Sequence, residues 1–207
     1  MQETPEIWIA TYEAKTPEEL SEAYRLWACD YDHDTCEGMG YVGPKVAADL
    51  LDRHLDSCKA KVLDAGCGTG LVGKSLNQMG YERLHAMDIS KDMLAEAENK
   101  DVYDKLFQAD MSRNLHIAAD SYDATICVGA FTYAHVGPEA FDELARITRP
   151  GGYICFSLRD GAYQEYGYRQ RLLALEENNV LELKEMLDTD YLSKEDVSAK
   201  YCICEVL

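Results

Sequence analysis

Apolar residues recur at helical spacing in the first quarter of the chain. From Thr16 onward they follow the pattern of a helix that buries one face, at Leu20, Ala23, Tyr24, Trp27, Ala28 and Tyr31. Thr16 is a suitable N-cap, Pro17 suits the first helical position, and Glu19 completes a capping box. A second helix is predicted from about Pro44. The earlier run IWI at residues 7–9 fits either a short strand or a docking segment.

From residue 61 onward, short β-branched or apolar runs alternate with runs of helical period. Strands are predicted at residues 61–64, 84–89, 106–109, 124–128 and 153–158, and helices at 70–79, 91–99, 138–147 and 162–178. Residues 180–187 and 201–206 fit two further strands, separated by too few residues for a full crossover helix. The alternation is typical of βαβ units, so we predict an α/β fold with a parallel sheet and helices on both faces.

The composition fits one folded unit. The chain has 207 residues, of which 47% are hydrophobic, and a chain of this size buries roughly 70% of its unfolded surface. It contains no internal repeat, low-complexity tract or Gly/Ser linker. We therefore expect a single domain over residues 1–207, in which residues 1–58 form an N-terminal helical cap and residues 59–207 form the cofactor-binding and catalytic core.

The net charge and the cysteines limit the classes of partner and the cellular compartment that we expect. With 38 acidic against 20 basic residues the formal charge is -18, which weighs against nucleic acid and against an anionic membrane surface. The N-terminus lacks a signal-peptide pattern, so we expect a cytoplasmic protein whose eight scattered cysteines are reduced. Cys29, His33 and Cys36 form the best metal-ligand cluster, but it lacks a C-x-x-C partner and no metal site is predicted.

The most informative stretch is VLDAGCGTG at residues 62–70, a buried strand followed by glycine at alternate positions and then a helix. Such a turn brings backbone close to a ligand and points helix N-terminal N–H groups at it. Gly68, Gly70 and Gly73 match the G-x-G-x-x-G spacing of dinucleotide enzymes. Asp64, however, closes the strand, and its carboxylate would repel a pyrophosphate but attract the cationic cofactor S-adenosylmethionine.

Two further acids follow the next two strands. Asp88, in AMDIS at residues 86–90, can accept hydrogen bonds from both ribose hydroxyls, in NAD as in S-adenosylmethionine. Asp110 can accept from an adenine amino group, while Met111 supplies a backbone N–H and apolar cover. Any one of these acids could instead cap the helix that follows it. Together with the glycine turn, the three acids predict an adenosine-containing ligand.

At these positions the chain resembles the class I S-adenosylmethionine-dependent methyltransferases. The resemblance covers about residues 20–207 and also rests on YDATICVG at 122–129 and RITRPGG at 146–152. It implies a doubly wound, mostly parallel, Rossmann-like sheet of seven strands whose last pair forms an antiparallel hairpin. More narrowly, YRLWACDYD at 24–32 and YVGPKVA at 41–47 are similar to the Williams–Beuren-region methyltransferase-like proteins. Val42 departs from that pattern, in which an arginine is expected.

The resemblance implies S-adenosylmethionine as cofactor, with S-adenosylhomocysteine as product. The expected cofactor-binding residues are Trp27, Tyr31, Asp64, Gly66, Cys67, Gly68, Gly70, Asp88, Ile89, Asp110, Met111, Val128 and Gly129. Trp27 and Tyr31 either cover the methionine end of the cofactor or are core positions of their helix. We expect this helix to be mobile without ligand and ordered with it.

Candidate catalytic residues follow the fourth strand, in GAFTYAH at 129–135. His135 could take a proton and Tyr133 could orient the acceptor, although His135 could equally cap or pack at a helix start. A general base is needed only when the acceptor carries a proton at the working pH.

The predicted function is methyl transfer to a nucleophilic N, O or S atom of a small molecule, because no added domain or basic tract would recruit a macromolecule. The alternatives are a protein methyltransferase, a non-catalytic S-adenosylmethionine-binding partner protein, and a dehydrogenase.

Overall fold

The computed structural model describes residues 6–14, 16–132 and 136–207. Its N-terminal part consists of helices α1 (Glu6–Glu13), α2 (Pro17–Trp27) and α3 (Gly43–Asp52), with a π-helical segment at His33–Met39. Thr16 caps α2 as predicted, since its side chain accepts a hydrogen bond from the N–H of Glu19 at 3.2 Å. Of the two interpretations of residues 7–9, the short strand was wrong: they lie within α1, which packs against α2.

The sheet has seven strands: β1 (Val62–Ala65), β2 (Leu84–Asp88), β3 (Lys105–Gln108), β4 (Tyr122–Phe131), β5 (Thr148–Arg159), β6 (Leu181–Leu192) and β7 (Val197–Val206). Their order is β3-β2-β1-β4-β5-β7-β6. The first five strands run parallel, while β7 pairs antiparallel with both β5 and β6. The predicted doubly wound, mostly parallel sheet with a terminal hairpin is confirmed.

The helices after β1 are α4 (Leu71–Gln78), α5 (Lys91–Glu98), α6 (Ala140–Ile147), α7 (Ala162–Glu165) and α8 (Tyr168–Glu177). One helix was predicted over residues 162–178, but Gly167, at φ 76°, separates α7 from α8. The sheet is covered on both faces. One apolar cluster includes Phe131, Phe141 and Phe156, a second joins Trp27 and Leu51 of the N-terminal part to the sheet, and a small third one contains Ala86 and Ala97.

The chain reverses its direction of winding between β1 and β4, which are neighbours in the sheet. In open α/β sheets such a reversal leaves a crevice at the carboxyl ends of the two strands, and ligands bind there. The loops that follow β1, β2, β3 and β4 therefore surround the expected ligand site.

The eight cysteines are free thiols. Cys67, Cys127, Cys155, Cys202 and Cys204 are buried, and Cys29, Cys36 and Cys58 are exposed. Burial raises the pKa of the Cys127 and Cys155 thiols well above the usual range, so these groups stay protonated. Within the described ranges, no helix is long and apolar enough to cross a membrane, and no cluster of three potential ligands could hold a metal ion.

Candidate functional site

A cavity lies at the carboxyl ends of β1 to β4, beneath the N-terminal helices. It encloses about 1170 Å³ of space, part of which is open to solvent. The strand ends contribute most of its predicted wall residues, namely Gly66, Cys67, Gly68, Asp88, Ile89, Asp110, Met111, Val128 and Gly129. Tyr24, Tyr31 and Tyr41 close it from the N-terminal side. We call this space the main cavity.

The loop at residues 66–70, called the glycine loop below, forms one wall. Gly66, Gly68 and Gly70 have φ values of 72°, 53° and 90°, a left-handed conformation that favours glycine. The N–H groups of Gly66 and Cys67 donate to the carbonyl of Met87 at 2.8 and 3.0 Å, which fixes the loop to the end of β2. A Cβ placed on Gly68 would have no atom within 4 Å. A side chain there would extend into open space beside the loop.

Asp88 joins the glycine loop to the end of β2. Its Oδ2 accepts from the N–H of Gly68 at 2.8 Å and its Oδ1 from the N–H of Ser90 at 2.9 Å. Burial raises the pKa of this carboxyl, and the backbone hydrogen bonds oppose that shift. Because each carboxylate oxygen has more than one acceptor site, Asp88 can also accept from a ligand hydroxyl in the main cavity.

Asp110 and two apolar residues form the end of the main cavity beyond Asp88. Oδ1 of Asp110 accepts from the N–H and the hydroxyl of Ser112 at 2.9 and 2.5 Å. Ile89 is 54% exposed, although it is a large apolar residue beside a cavity. With Met111, which lines the same cavity, Ile89 can provide apolar contact for a flat aromatic ring.

Asp64, which precedes the glycine loop, and Gly70, its last residue, are not among the residues that line the main cavity. The Asp64 side chain is only 2% exposed, and its Oδ2 accepts from the Tyr103 hydroxyl at 2.5 Å. Burial raises the pKa of Asp64 to about 7, an effect that the hydrogen bond from Tyr103 opposes. The sequence implied direct contact between Asp64 and a ligand; the structure directs this side chain toward Tyr103, and its contact with a ligand stays a prediction.

Trp27 is also absent from the wall of the main cavity. Its indole N–H donates to Oδ2 of Asp34 at 2.9 Å, and its ring packs edge-on against Tyr31 at 4.7 Å. Because α2 ends at Trp27, Tyr31 belongs to the following segment, and the two side chains do not share one helix face. Tyr31 reaches the main cavity, whereas Trp27 is 3% exposed, packs in the core and lines a smaller pocket beside that cavity.

A smaller pocket continues from the main cavity under the N-terminal helices. The two share Tyr24, Tyr31, Tyr41 and Gly129. Tyr191 completes the smaller pocket, and its hydroxyl donates to the hydroxyl of Tyr41 at 3.2 Å. We call this space the tyrosine pocket. Burial raises the pKa of Tyr31 and Tyr41 well above the usual range, so both phenols are neutral hydrogen-bonding groups.

Sequence reasoning missed Tyr41 and Tyr191 as site residues. Tyr41 lies in the YVGPKVA stretch, beside the helix start that the sequence did mark, but Tyr191 is at the far end of β6 and carries no local signal. The predicted catalytic residues Tyr133 and His135 lie outside the described residues. Val136, which follows them, lines the main cavity.

The charge of the main cavity favours S-adenosylmethionine over a dinucleotide as its ligand. Its described wall contains the acids Asp88 and Asp110, of which Asp110 forms an ion pair with Arg113 at 3.1 Å, and no lysine, arginine or histidine. Such a wall attracts a cationic ligand and opposes a pyrophosphate. Its residues fit an adenosine that carries a positive charge.

The strand order, the glycine loop and the acids at the strand ends define a class I S-adenosylmethionine-dependent methyltransferase, and the chain belongs to this family. Residues 63–156 match the family described as "Methyltransferase domain". The chain is similar to "Methyltransferase-like protein 27" of Homo sapiens, with 35% identity over 66% of this chain and 56% of that protein. The narrower resemblance to the Williams–Beuren-region proteins is thereby confirmed.

It is also similar to a "Malonyl-[acyl-carrier protein] O-methyltransferase" of Buchnera aphidicola subsp. Baizongia pistaciae, with 30% identity over 81% of this chain and 66% of that protein. The chain thus spans between about half and two thirds of these two relatives. Among solved structures, a "TehB-like SAM-dependent methyltransferase" of Corynebacterium glutamicum superposes with a TM-score of 0.68. The match covers 90% of this chain and 99% of that one, and at 18% identity the likeness is one of fold.

Proposed function

We propose that this chain binds S-adenosylmethionine and transfers its methyl group to a small-molecule acceptor. One observation carries the proposal: three successive strand ends bring the glycine loop, Asp88 and Asp110 to a single cavity whose described wall is acidic. The bound cofactor would supply a methyl carbon already activated by its sulfonium. The chain would then contribute binding, orientation and exclusion of water, which can provide most of the acceleration of an in-line displacement.

Each part of the main cavity has a role in holding the cofactor. Asp88 would accept from the ribose hydroxyls, while Ile89 and Met111 would contact the adenine ring. Asp110 is suited to accept from the adenine amino group. The backbone around Gly68 would approach the amino-acid end. Tyr31 and Tyr41 would close the main cavity above it, at the side where the tyrosine pocket begins.

The tyrosine pocket would receive the reacting group of the acceptor. It adjoins the main cavity at Gly129, and its described wall consists of aromatic, hydroxyl and apolar side chains without a formal charge. Its position beneath the N-terminal helices favours a small group over a folded protein surface. The acyl-carrier substrates in the names of several relatives agree with a small acyl acceptor. The free thiols further support a cytoplasmic location, and the net charge of -18 supports partners other than nucleic acid.

Proton removal depends on the acceptor. The neutral phenols of Tyr41 and Tyr191 can orient an acceptor atom by hydrogen bonding. Where the acceptor carries a proton, His135 is our candidate for the base and Tyr133 for an orienting group.

Two measurements test the proposal. Calorimetric titration with S-adenosylmethionine, S-adenosylhomocysteine and NAD should give binding for the first two only; binding of NAD alone would establish the dehydrogenase alternative. Cofactor labelled in its methyl group is then incubated with a cell extract that has been separated into metabolites and proteins. Label in metabolites is expected, label confined to proteins would indicate a protein methyltransferase, and binding without transfer to either fraction would favour a cofactor-binding partner protein.

A further inference from the structure

The side chain of Tyr103, which belongs to none of the sequence motifs, contacts the elements on both sides of the glycine loop. Tyr103 lies between α5 and β3, and its hydroxyl donates to Oδ2 of Asp64 at 2.5 Å. The phenol oxygen of Tyr103 also accepts from the N–H of Gly73 at 3.1 Å. One phenol thus connects the end of β1 with the first turn of α4, the two elements that the glycine loop joins.

The hydrogen bond from Gly73 to Tyr103 satisfies a backbone N–H group that the glycine at the N-cap of α4 leaves without an acceptor. The first turn of a helix has backbone N–H groups without helical partners, and a side-chain oxygen at the N-cap normally accepts from one of them. The N-cap of α4 is Gly70, which has no side chain and adopts a φ of 90°. The hydroxyl of Tyr103 provides the missing acceptor from a residue 30 positions further along the chain.

The contact between Gly73 and Tyr103 also explains why the third position of the G-x-G-x-x-G spacing is a glycine. A Cβ on Gly73 would overlap the phenol of Tyr103, and one on Gly70 would come within 3.0 Å of its ring. Gly73 therefore makes room for Tyr103, and the dinucleotide-like spacing needs no pyrophosphate to account for it.

We infer that Tyr103 is a positioning residue, which acts through Asp64 and the first turn of α4 to hold the glycine loop in its cofactor-binding conformation. This inference rests on the proposed function, since it concerns the same cofactor. The positioning by Tyr103 also depends on Asp64. The Asp64 side chain is 2% exposed, and its other carboxyl oxygen, Oδ1, has no hydrogen-bond partner among the described residues. Tyr103 is therefore the side chain that fixes the direction of this carboxyl.

The test is a double-mutant cycle on the dissociation constant of S-adenosylhomocysteine. Tyr103→Phe keeps the ring and removes the hydroxyl, and we expect it to weaken binding about tenfold. Because Tyr103 acts partly through Asp64, the second background is Asp64→Ala, which removes the acceptor that asparagine would keep; there the same change should weaken binding less than threefold. Equal factors in the two backgrounds, or unchanged affinity in Tyr103→Phe, would overturn the inference.

Two controls separate positioning from general stability. Tyr122→Phe also removes a buried phenol hydroxyl, which contacts His85 at 3.0 Å at the opposite end of the sheet, and it should leave cofactor affinity unchanged. If Tyr103→Phe does not fold, Gly73→Ala replaces it: alanine favours helix, so weakened binding is expected only because the methyl displaces Tyr103. Unchanged affinity in that variant would also refute the inference. Failure of the wild-type chain to bind any S-adenosyl compound would instead refute the proposed function.

Discussion

The hydroxyl of Thr69, in the glycine loop, donates a hydrogen bond to the carboxylate of Asp32, in the segment that follows α2. The other oxygen of Asp32 forms an ion pair with Lys100 at 2.7 Å. Asp32 therefore ties the N-terminal part of the chain directly to the loop that lines the main cavity. This contact joins the glycine loop to the region that we expect to act as a lid, mobile without ligand and ordered with it. The mobility of that region stays a prediction.

Asp32→Ala should loosen that connection. We expect the dissociation rate of S-adenosylhomocysteine to rise several-fold, since a charged hydrogen bond at a partly exposed site contributes about 1 kcal/mol. Stopped-flow measurement of ligand release checks this. Asp30→Ala removes the same charge from an exposed position two residues away and should leave the rate unchanged.

Amide exchange examines the same region. In the wild-type chain, protection over residues 17–47 should rise when S-adenosylhomocysteine is added, and in Asp32→Ala the rise should be smaller. If the segment is fully protected without ligand, it is an integral part of the core and the lid hypothesis is wrong.

Asp88→Ala should weaken S-adenosylmethionine binding by roughly 1–3 kcal/mol, because ribose hydroxyls would lose their acceptor. The structure adds a second effect, since the N–H groups of Gly68 and Ser90 lose their partner as well. The melting temperature should therefore fall by a few degrees, which calorimetry can measure alongside affinity. An unchanged dissociation constant would contradict the ribose assignment.

Gly68→Val should abolish cofactor binding while the chain stays folded. A Cβ at this position would have no atom within 4 Å beyond its chain neighbours, so the valine methyl groups would extend into the space beside the loop. The cost to folding is the strain of a branched residue at φ 53°, on the order of 1–2 kcal/mol. Circular dichroism reports the fold and calorimetry the affinity, and tight binding by a folded variant would show that this loop does not hold the cofactor.

Asp64→Asn should change how stability depends on pH. Burial raises the pKa of Asp64 from 3.8 to about 7, so the folded state keeps a proton that the unfolded state has released between these two values. Stability therefore falls as the pH rises from about 4 to 7 and levels off above. The asparagine variant lacks this term, and relative to wild type it should gain on the order of 2–4 kcal/mol between pH 4 and pH 8. Urea unfolding at several pH values measures the difference; a constant difference would show that Asp64 is ionised throughout.

The parts of this fold that depend on local pattern could be predicted from the sequence. The end of β2 at Asp88 and the cap at Thr16 depend on residues close in the chain and were identified, while β1 ends at Ala65, one residue beyond the predicted end at Asp64. Contacts across long separations were not: Tyr191 meets Tyr41 over 150 positions, and Tyr103 meets Asp64 over 39. The positions of Asp64 and Trp27 outside the wall of the main cavity could not be predicted for a related reason, because a motif gives a residue's place on an element but not the direction of its side chain.

Because some thiols are exposed and others are buried, alkylation of the natural cysteines can measure opening of the fold. Cys29 and Cys36 are exposed on either side of Asp32, and Cys58 is exposed just before β1, while the remaining five are buried. A short pulse of alkylating reagent followed by mass spectrometry would therefore add three labels to the native chain and eight to the unfolded one. Cys67 has a special value, since it is a buried thiol in the wall of the main cavity. Because Cys67 is buried, only a longer exposure to the reagent would label it, at the rate at which the site opens, and a bound nucleoside should slow that labelling.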